Sequence, residues 1–288
     1  MYTDRTAGKK GWSKIPAAIE LNFAEYCRFE QCTIRNTGTS GLWIRRSCMN
    51  CEISESHIHD ISGNGLSIGE GNDRMKNGQA WWKASPEEAS QGNRVKHSLI
   101  EKCGQQFHGA VGIWCGLVAS TVIEHNEIRD LPYTGVSVGW MWTPEPTPCR
   151  ENTIHANHIH HILKILSDGG GIYSLGLQPG SRITNNLIHD VQVNAGRAES
   201  NGMFLDEGTK ELLIENNIVY NIARSPLRFH KAEHPTMVRN NVLVCNDNIP
   251  PIAYNRTRKE DIEKSGNTIL NQSSESDMNR LQGLLKER

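Results

Sequence analysis

The sequence has no apolar run approaching the roughly 18 residues a membrane-crossing helix needs, so no segment is expected to span a bilayer that way. Its opening stretch, MYTDRTAGKKGWSK, lacks the apolar centre of a secretory signal. The chain is therefore expected to be cytoplasmic, or a processed or truncated piece of something exported. Cysteine is scarce: eight in 288 residues is too few for a disulfide scaffold. Cys48 and Cys51 form a CxxC with no second pair, a poor signal for zinc or redox chemistry. Neither sign of charge dominates, with 31 Lys and Arg against 32 Asp and Glu and a formal net charge of −1. That balance lacks the electrostatic footprint of a nucleic-acid or anionic-membrane partner. An uncharged partner such as a sugar fits it better. Hydrophobic residues, at 37%, allow a continuous but lean core.

What the chain does have is a repeat. VIEHNEIRDL (122–131), TIHANHIHHI (153–162), RITNNLIHDV (182–191) and LIENNIVYNI (213–222) share an aliphatic residue, two variable ones, Asn, one more, then another aliphatic. Extended both ways, the Asn position is held by Cys32, Ser56, Ser98, Asn126, Asn157, Asn186, Asn217, Asn241 and Asn267. Two places later stand Ile34, Ile58, Ile100, Ile128, Ile159, Ile188, Val219, Leu243 and Ile269. Three places earlier every coil is apolar except at Lys264. Each unit adds a second strand signal, a small residue or proline before apolar–x–apolar, as in GLWI (41–44), GVSV (135–138), GIYS (171–174) and PLRF (226–229). Short units with period-2 strands and no helical stretch predict one right-handed parallel β-helix of about nine coils, all-β, ~43 Å long at the ~4.8 Å spacing of neighbouring strands.

In that register the asparagines are structural, because a stacked amide can satisfy backbone groups at a turn. Cys27 and Cys51 each lie five places before their Asn-column residue. They are expected to stack as a buried thiol pair in adjacent coils, with no metal. Residues 1–22 read as a lead-in and partial cap, 23–272 as the β-helix, and 273–288 as a C-terminal cap helix with Met278, Leu281, Leu284 and Leu285 on one face. A thin N-terminal cap leaves an unpaired edge and so points to self-association through the first coil.

Long insertions mark the working face of a repeat protein. Two leave the rod just after the second strand: 69–92, with Trp81 and Trp82, and 139–151, with Trp140 and Trp142. Exposed indoles are surfaces on which sugars stack, so all four are candidates for a cleft. Asp206 follows its strand and points outward by alternation. In the neighbouring coils its equivalents are Gly139, Leu175 and His230. Asp168 precedes Gly169, Gly170 and Gly171, and reaches the same cleft only if those glycines bend the chain. Glu199 is the equivalent of Asp168 one coil on, Glu207 adjoins Asp206, and Tyr173 and Trp114 project between. Several carboxyls around an aromatic cleft suit glycoside hydrolysis, which needs an acid and a nucleophile or base.

HGAVGIWCG (108–116), IEHNEIRDLPYTGVSVGWMW (123–142), SDGGGIYSLGLQPGSRITNNLIHDV (167–191) and LDEGTKELLIENNIVYN (205–221) resemble the β-helix glycoside hydrolases, most closely family 141. The likeness covers roughly residues 95–245. It implies hydrolysis of plant-type polysaccharides, as by an α-fucosidase on complex pectin or a xylanase, and a secreted or periplasmic setting. It also implies Asp168 and Asp206 as the catalytic pair, without settling which is the acid. Trp114, Trp140, Trp142, Tyr173, His108, Glu199, Glu207 and His230 complete the expected substrate site. No cofactor and no metal is expected. Family members are longer, and this chain begins late relative to them. Two other readings stay open: a polysaccharide lyase, with Arg228 and Lys231 as base or charge neutraliser and calcium in support, and a non-catalytic carbohydrate-binding β-helix.

Overall fold

A computed structural model describes residues 14–192 and 199–286. The chain winds into a right-handed β-helix with three parallel sheets of nine strands each. The first sheet runs from Ala17–Asn22 through Val136–Val138, Gly169–Ser174, Ser200–Leu205 and Leu227–His230 to Ile252–Asn255. The second and third hold the strands on either side of the Asn position, so each repeat contributes one strand to every sheet.

The predicted register is the observed one. Ile100, Ile128, Ile159, Ile188 and Val219 pair in sequence across the third sheet and are fully buried. Side chains alternate between faces of a strand, so one repeating apolar position stacks into one column of core. Beside it runs the amide ladder. The Oδ1 of Asn157, Asn186, Asn217, Asn241 and Asn267 each accepts from the backbone N–H of the ladder residue one coil earlier, at 2.9–3.1 Å. Ser56 and Ser98 do the same through Oγ, accepting from the Cys32 and Ser56 N–H groups, and Asn126 Oδ1 accepts from the Ser98 N–H.

Cys27 and Cys51 stand opposite one another in adjacent coils, next to the Arg28–Glu52 pair, and both are free thiols; Cys51 is buried, whereas Cys27, in the first coil, is only half-buried. Burial pushes the Cys51 thiol up, away from the thiolate a metal would need.

Three boundaries differ from expectation. Residues 17–22, read as lead-in, form the first strand and pair with Ser40–Arg46; residues 1–13 and 287–288 lie outside the described residues. The first insertion is not strand-free loop but a short hairpin, Met75–Lys76 with Gln79–Ala80, followed by a helical turn, Trp81–Ala84. The C-terminal helix, Glu275–Lys286, packs Met278, Leu281, Leu284 and Leu285 on Ile218, Val244 and Leu270, on the outside of the third sheet. It braces that sheet rather than covering the last coil, whose inward Ile269 stays 46% exposed.

Candidate active site

The middle residue of each second-strand signal faces outward, and register aligns these residues along the first sheet. Trp43, Ser67, Trp114, Ser137, Tyr173, Phe204 and Arg228 form one continuous row. The second insertion folds over the middle of this row. Between them opens a cleft of about 540 Å³ lined by Ser137, Trp140, Trp142, Tyr173, Arg228 and His230, with Asp168, Asp206 and Glu207 at its polar edge.

Asp206 lies at the end of Ser200–Leu205, opposite His230 of the next coil, as the register predicts. It is only 8% exposed. The ring of His230 is 2.8 Å away, Nδ1 to Oδ1, which assigns the proton to Nδ1. The Tyr173 hydroxyl donates to Oδ2 in a short hydrogen bond. Burial first, and then the charge of Asp206, holds the Tyr173 phenol well above its ordinary range, so it remains an O–H donor. Two donors therefore aim at one buried carboxylate.

Asp168 is a different case. Its main chain takes the left-handed conformation, φ +64°. Just beyond it, a methyl on Gly170 would come 2.9 Å from the carbonyl oxygen of Ile172, two residues on, so the chain bends sharply there. Asp168 lines the same cleft as Asp206. Tyr133, in the preceding coil, donates its hydroxyl to the Asp168 carbonyl at 2.7 Å. As a residue Asp168 is exposed, on the rim. Its carboxyl is nevertheless crowded by the cleft walls, and this desolvation, followed by the charge of Asp206, raises its pKa, while Arg228 and His230 oppose the rise. Contact with water at the rim limits the effect.

Several expected residues sit elsewhere. Trp114 is 2% exposed and packs edge-on against Trp43, with Trp140 5.8 Å away on its other side, so it props the wall and does not line it. Trp81 and Trp82 are buried with Leu117, Met141 and Cys149. They are the small core that fixes the first insertion to the rod, not part of the cleft. His108 is exposed beside Gly109, which does line the cleft. Glu199 stands at the outer rim, 3.8 Å from Arg228. Glu207 lines the cleft and pairs with Lys231 at 2.8 Å, which ties up the lysine. Arg228 lies over the Phe204 ring at 4.4 Å. Ser137, Phe204 and Tyr133 were not singled out from sequence. The first two share the outward row and could have been read from it, whereas Tyr133 sits in a turn with no periodic signal.

Among the described residues, Asp206, Glu207 and His230 could together offer three ligand atoms to a cation. Each already has a partner, Asp206 two of them, so a cation would have to break the hydrogen bonds and the Glu207–Lys231 ion pair.

A carboxylate clasped by two donors, a second carboxyl on a crowded rim and a wall of indoles define a polar, aromatic-walled cleft on the flank of a parallel β-helix. Residues 17–192 match the family model described as the right handed beta helix region, and the chain belongs to that family. None of the curated proteins matches it by sequence. Among solved structures it is similar to a protein titled glycoside hydrolase, with TM-score 0.64 and 22% identity, covering 97% of this chain and 43% of that one. It is also similar to an alginate lyase from Paenibacillus sp. (TM-score 0.53, 11% identity, 85% of this chain and 76% of that one). A third likeness is to the GH136 lacto-N-biosidase from Eubacterium ramulus (TM-score 0.53, 13% identity, 88% and 51%). The chain thus spans less than half the length of the first of these proteins and about half of the third. At such identities the likeness establishes the fold.

Proposed function

We propose that the protein is a glycoside hydrolase acting on a complex, plant-type oligo- or polysaccharide, with Asp168 as general acid and Asp206 as nucleophile or base. One observation carries this reading: two aspartates share a cleft but have opposed environments. Asp206 is a buried carboxylate that accepts hydrogen bonds from Tyr173 and His230. Asp168 is crowded and lies near that charge, which favours its protonated form. Carboxyl pairs whose environments push them apart divide acid and base roles between them. Trp140 and Trp142 offer partly exposed rings to a sugar. The resemblance of the SDGGGIYS and LDEG segments to family 141 supports the same pair.

The test is a screen of defined plant oligosaccharides with product analysis, repeated on Asp168→Asn and Asp206→Asn. Each should lose orders of magnitude in turnover with substrate affinity largely kept. A substrate with an activated leaving group should rescue Asp168→Asn and not Asp206→Asn. Full turnover in either variant would refute the assignment.

A second reading, a polysaccharide lyase, draws on Arg228. It lines the cleft and is the cation there that a substrate carboxylate would meet. Unsaturated, ultraviolet-absorbing products would decide for it. Glycan binding without any product would instead support a carbohydrate-binding protein.

A further inference from the structure

On the outer face of the third sheet, away from the cleft on the first, four imidazoles gather from two adjacent strands. His158, His160 and His161 come from His158–Ile162, and His189 from Leu187–Val191. The rings of His160 and His189 are stacked 5.0 Å apart, and Tyr220 stacks on His189 from the next coil at 4.7 Å. Two nitrogens, His158 Nε2 and His189 Nε2, face each other at 2.7 Å. Such a contact holds only if one ring donates and the other accepts. His189 Nδ1 is 2.7 Å from Asp190 Oδ2 and gives it its hydrogen, and Asp190 is itself held by the Asn221 amide. The lone pair on His189 Nε2 is thereby aimed at His158 by an ordered carboxylate behind it.

We propose that His158 and His189 form a coordination site for a borderline divalent transition cation such as Zn2+ or Ni2+, which replaces the proton shared between their Nε2 atoms. A carboxylate fixing the far nitrogen of a histidine is the arrangement that orients imidazole ligands toward metals. Metal–nitrogen bonds of ~2.0–2.1 Å at a tetrahedral angle need the two nitrogens roughly 3.3 Å apart, a small rotation from the present contact. The displaced proton is taken up at His158 Nδ1, so the ring stays neutral, and the two positive charges of the cation are met in part by the Asp190 carboxylate behind His189. His161 Nδ1 lies 2.7 Å from His160 Nδ1 and 3.7 Å from Asp190 Oδ2, so water completes the coordination that the two Nε2 atoms begin. Nitrogen ligands select Zn2+, Ni2+ or Cu2+ over Ca2+ and Mg2+, which require oxygen. The two strands belong to successive coils, so the cation would staple one coil to the next.

The experiment is equilibrium dialysis of the chelator-stripped full chain against Zn2+, Ni2+ and Ca2+, with metal quantified by mass spectrometry and the melting temperature recorded alongside. One equivalent of Zn2+ or Ni2+, no Ca2+ at this site and a raised melting temperature are expected. His158→Gln and His189→Gln should abolish this binding, and Asp190→Asn should weaken it by about tenfold. Circular dichroism of each variant without metal separates lost binding from lost fold. His230→Gln, which alters the other candidate cation group, should bind as the parent does. Failure to bind Zn2+ or Ni2+ at millimolar concentration would overturn the proposal. So would binding that survives His158→Gln and His189→Gln but disappears in His230→Gln.

Discussion

Replacing Asn186 with alanine tests whether the amide ladder holds the coils together. Asn186 is fully buried in the middle of the ladder. Its Nδ2 donates to the Ile154 carbonyl at 2.9 Å, to the Thr184 carbonyl at 3.1 Å and to Asn217 Oδ1 at 2.9 Å. Its Oδ1 accepts both the backbone N–H and the side-chain Nδ2 of Asn157, each at 3.0 Å. The damage is unequal. Asn157 Nδ2 keeps the Ile123 carbonyl, and the Thr184 carbonyl keeps the Ala156 N–H. The Asn157 backbone N–H is left without this acceptor in a dry interior, at ~1–3 kcal/mol, and the lost contacts with the remaining groups add roughly 1 kcal/mol. Asn186→Ala should therefore cost ~2–4 kcal/mol in urea denaturation, with the slope unchanged. Two controls follow from the same column. Asn186→Ser should cost less, because Ser56 and Ser98 already serve the column with a hydroxyl accepting from the coil before. Asn267→Ala, in the half-exposed last coil, should cost ~1 kcal/mol or less, since water can replace the amide. Equal losses at Asn186 and Asn267, or a loss under about 1 kcal/mol at Asn186, would refute the argument.

The tryptophans should separate by role: Trp140→Ala and Trp142→Ala should weaken oligosaccharide binding with a modest effect on stability. Trp81→Ala should cost ~3–5 kcal/mol in denaturation, because its ring fills the buried core where the two insertions meet. Ile159→Ala, in the central core column, should cost ~2–5 kcal/mol; a negligible change by thermal or urea unfolding would contradict the packing. Asp168 carries a sign-definite pH effect. Its pKa is raised on folding, so its favourable contribution is present below the ordinary aspartate range and fades as pH rises through the raised value. Asp168→Asn should then be more stable relative to the parent at pH 7 than at pH 3, by urea unfolding at both, and an opposite trend would mean that its carboxylate is stabilised by the fold.

The rod was legible because its information repeats. One apolar column misread in a single coil is corrected by the eight others, and register then fixes which residues stand side by side, down to Leu175, Asp206 and His230 on neighbouring strands. Single-copy features had no such support. Trp82 and Trp142 are the same residue type on two insertions leaving the same edge, yet the first sits in the buried core that joins the two insertions and the second in the cleft wall. Helix Glu275–Lys286 showed its apolar face in sequence, but not that the matching apolar surface was the flank of the third sheet. Amphipathic spacing says that a face will be buried and leaves open against what.

The three glycines after Asp168 show where the boundary lies. Gly171 continues a column of Gly41, Gly65, Gly112, Gly135 and Gly202, where a methyl would strike the carbonyl of the next coil or the isoleucines beneath, so its smallness belongs to the rod. Gly170 continues a column whose other members, Asn64, Val111, Thr134, Asn201 and Ser225, all carry side chains. Glycine there is the exception: a methyl on it would stand 2.9 Å from the Ile172 carbonyl oxygen and 3.1 Å from Gly202 O and Phe204 N of the next coil. A glycine that the rod requires repeats with the coil, whereas Gly170 breaks the column it stands in, two residues from Asp168.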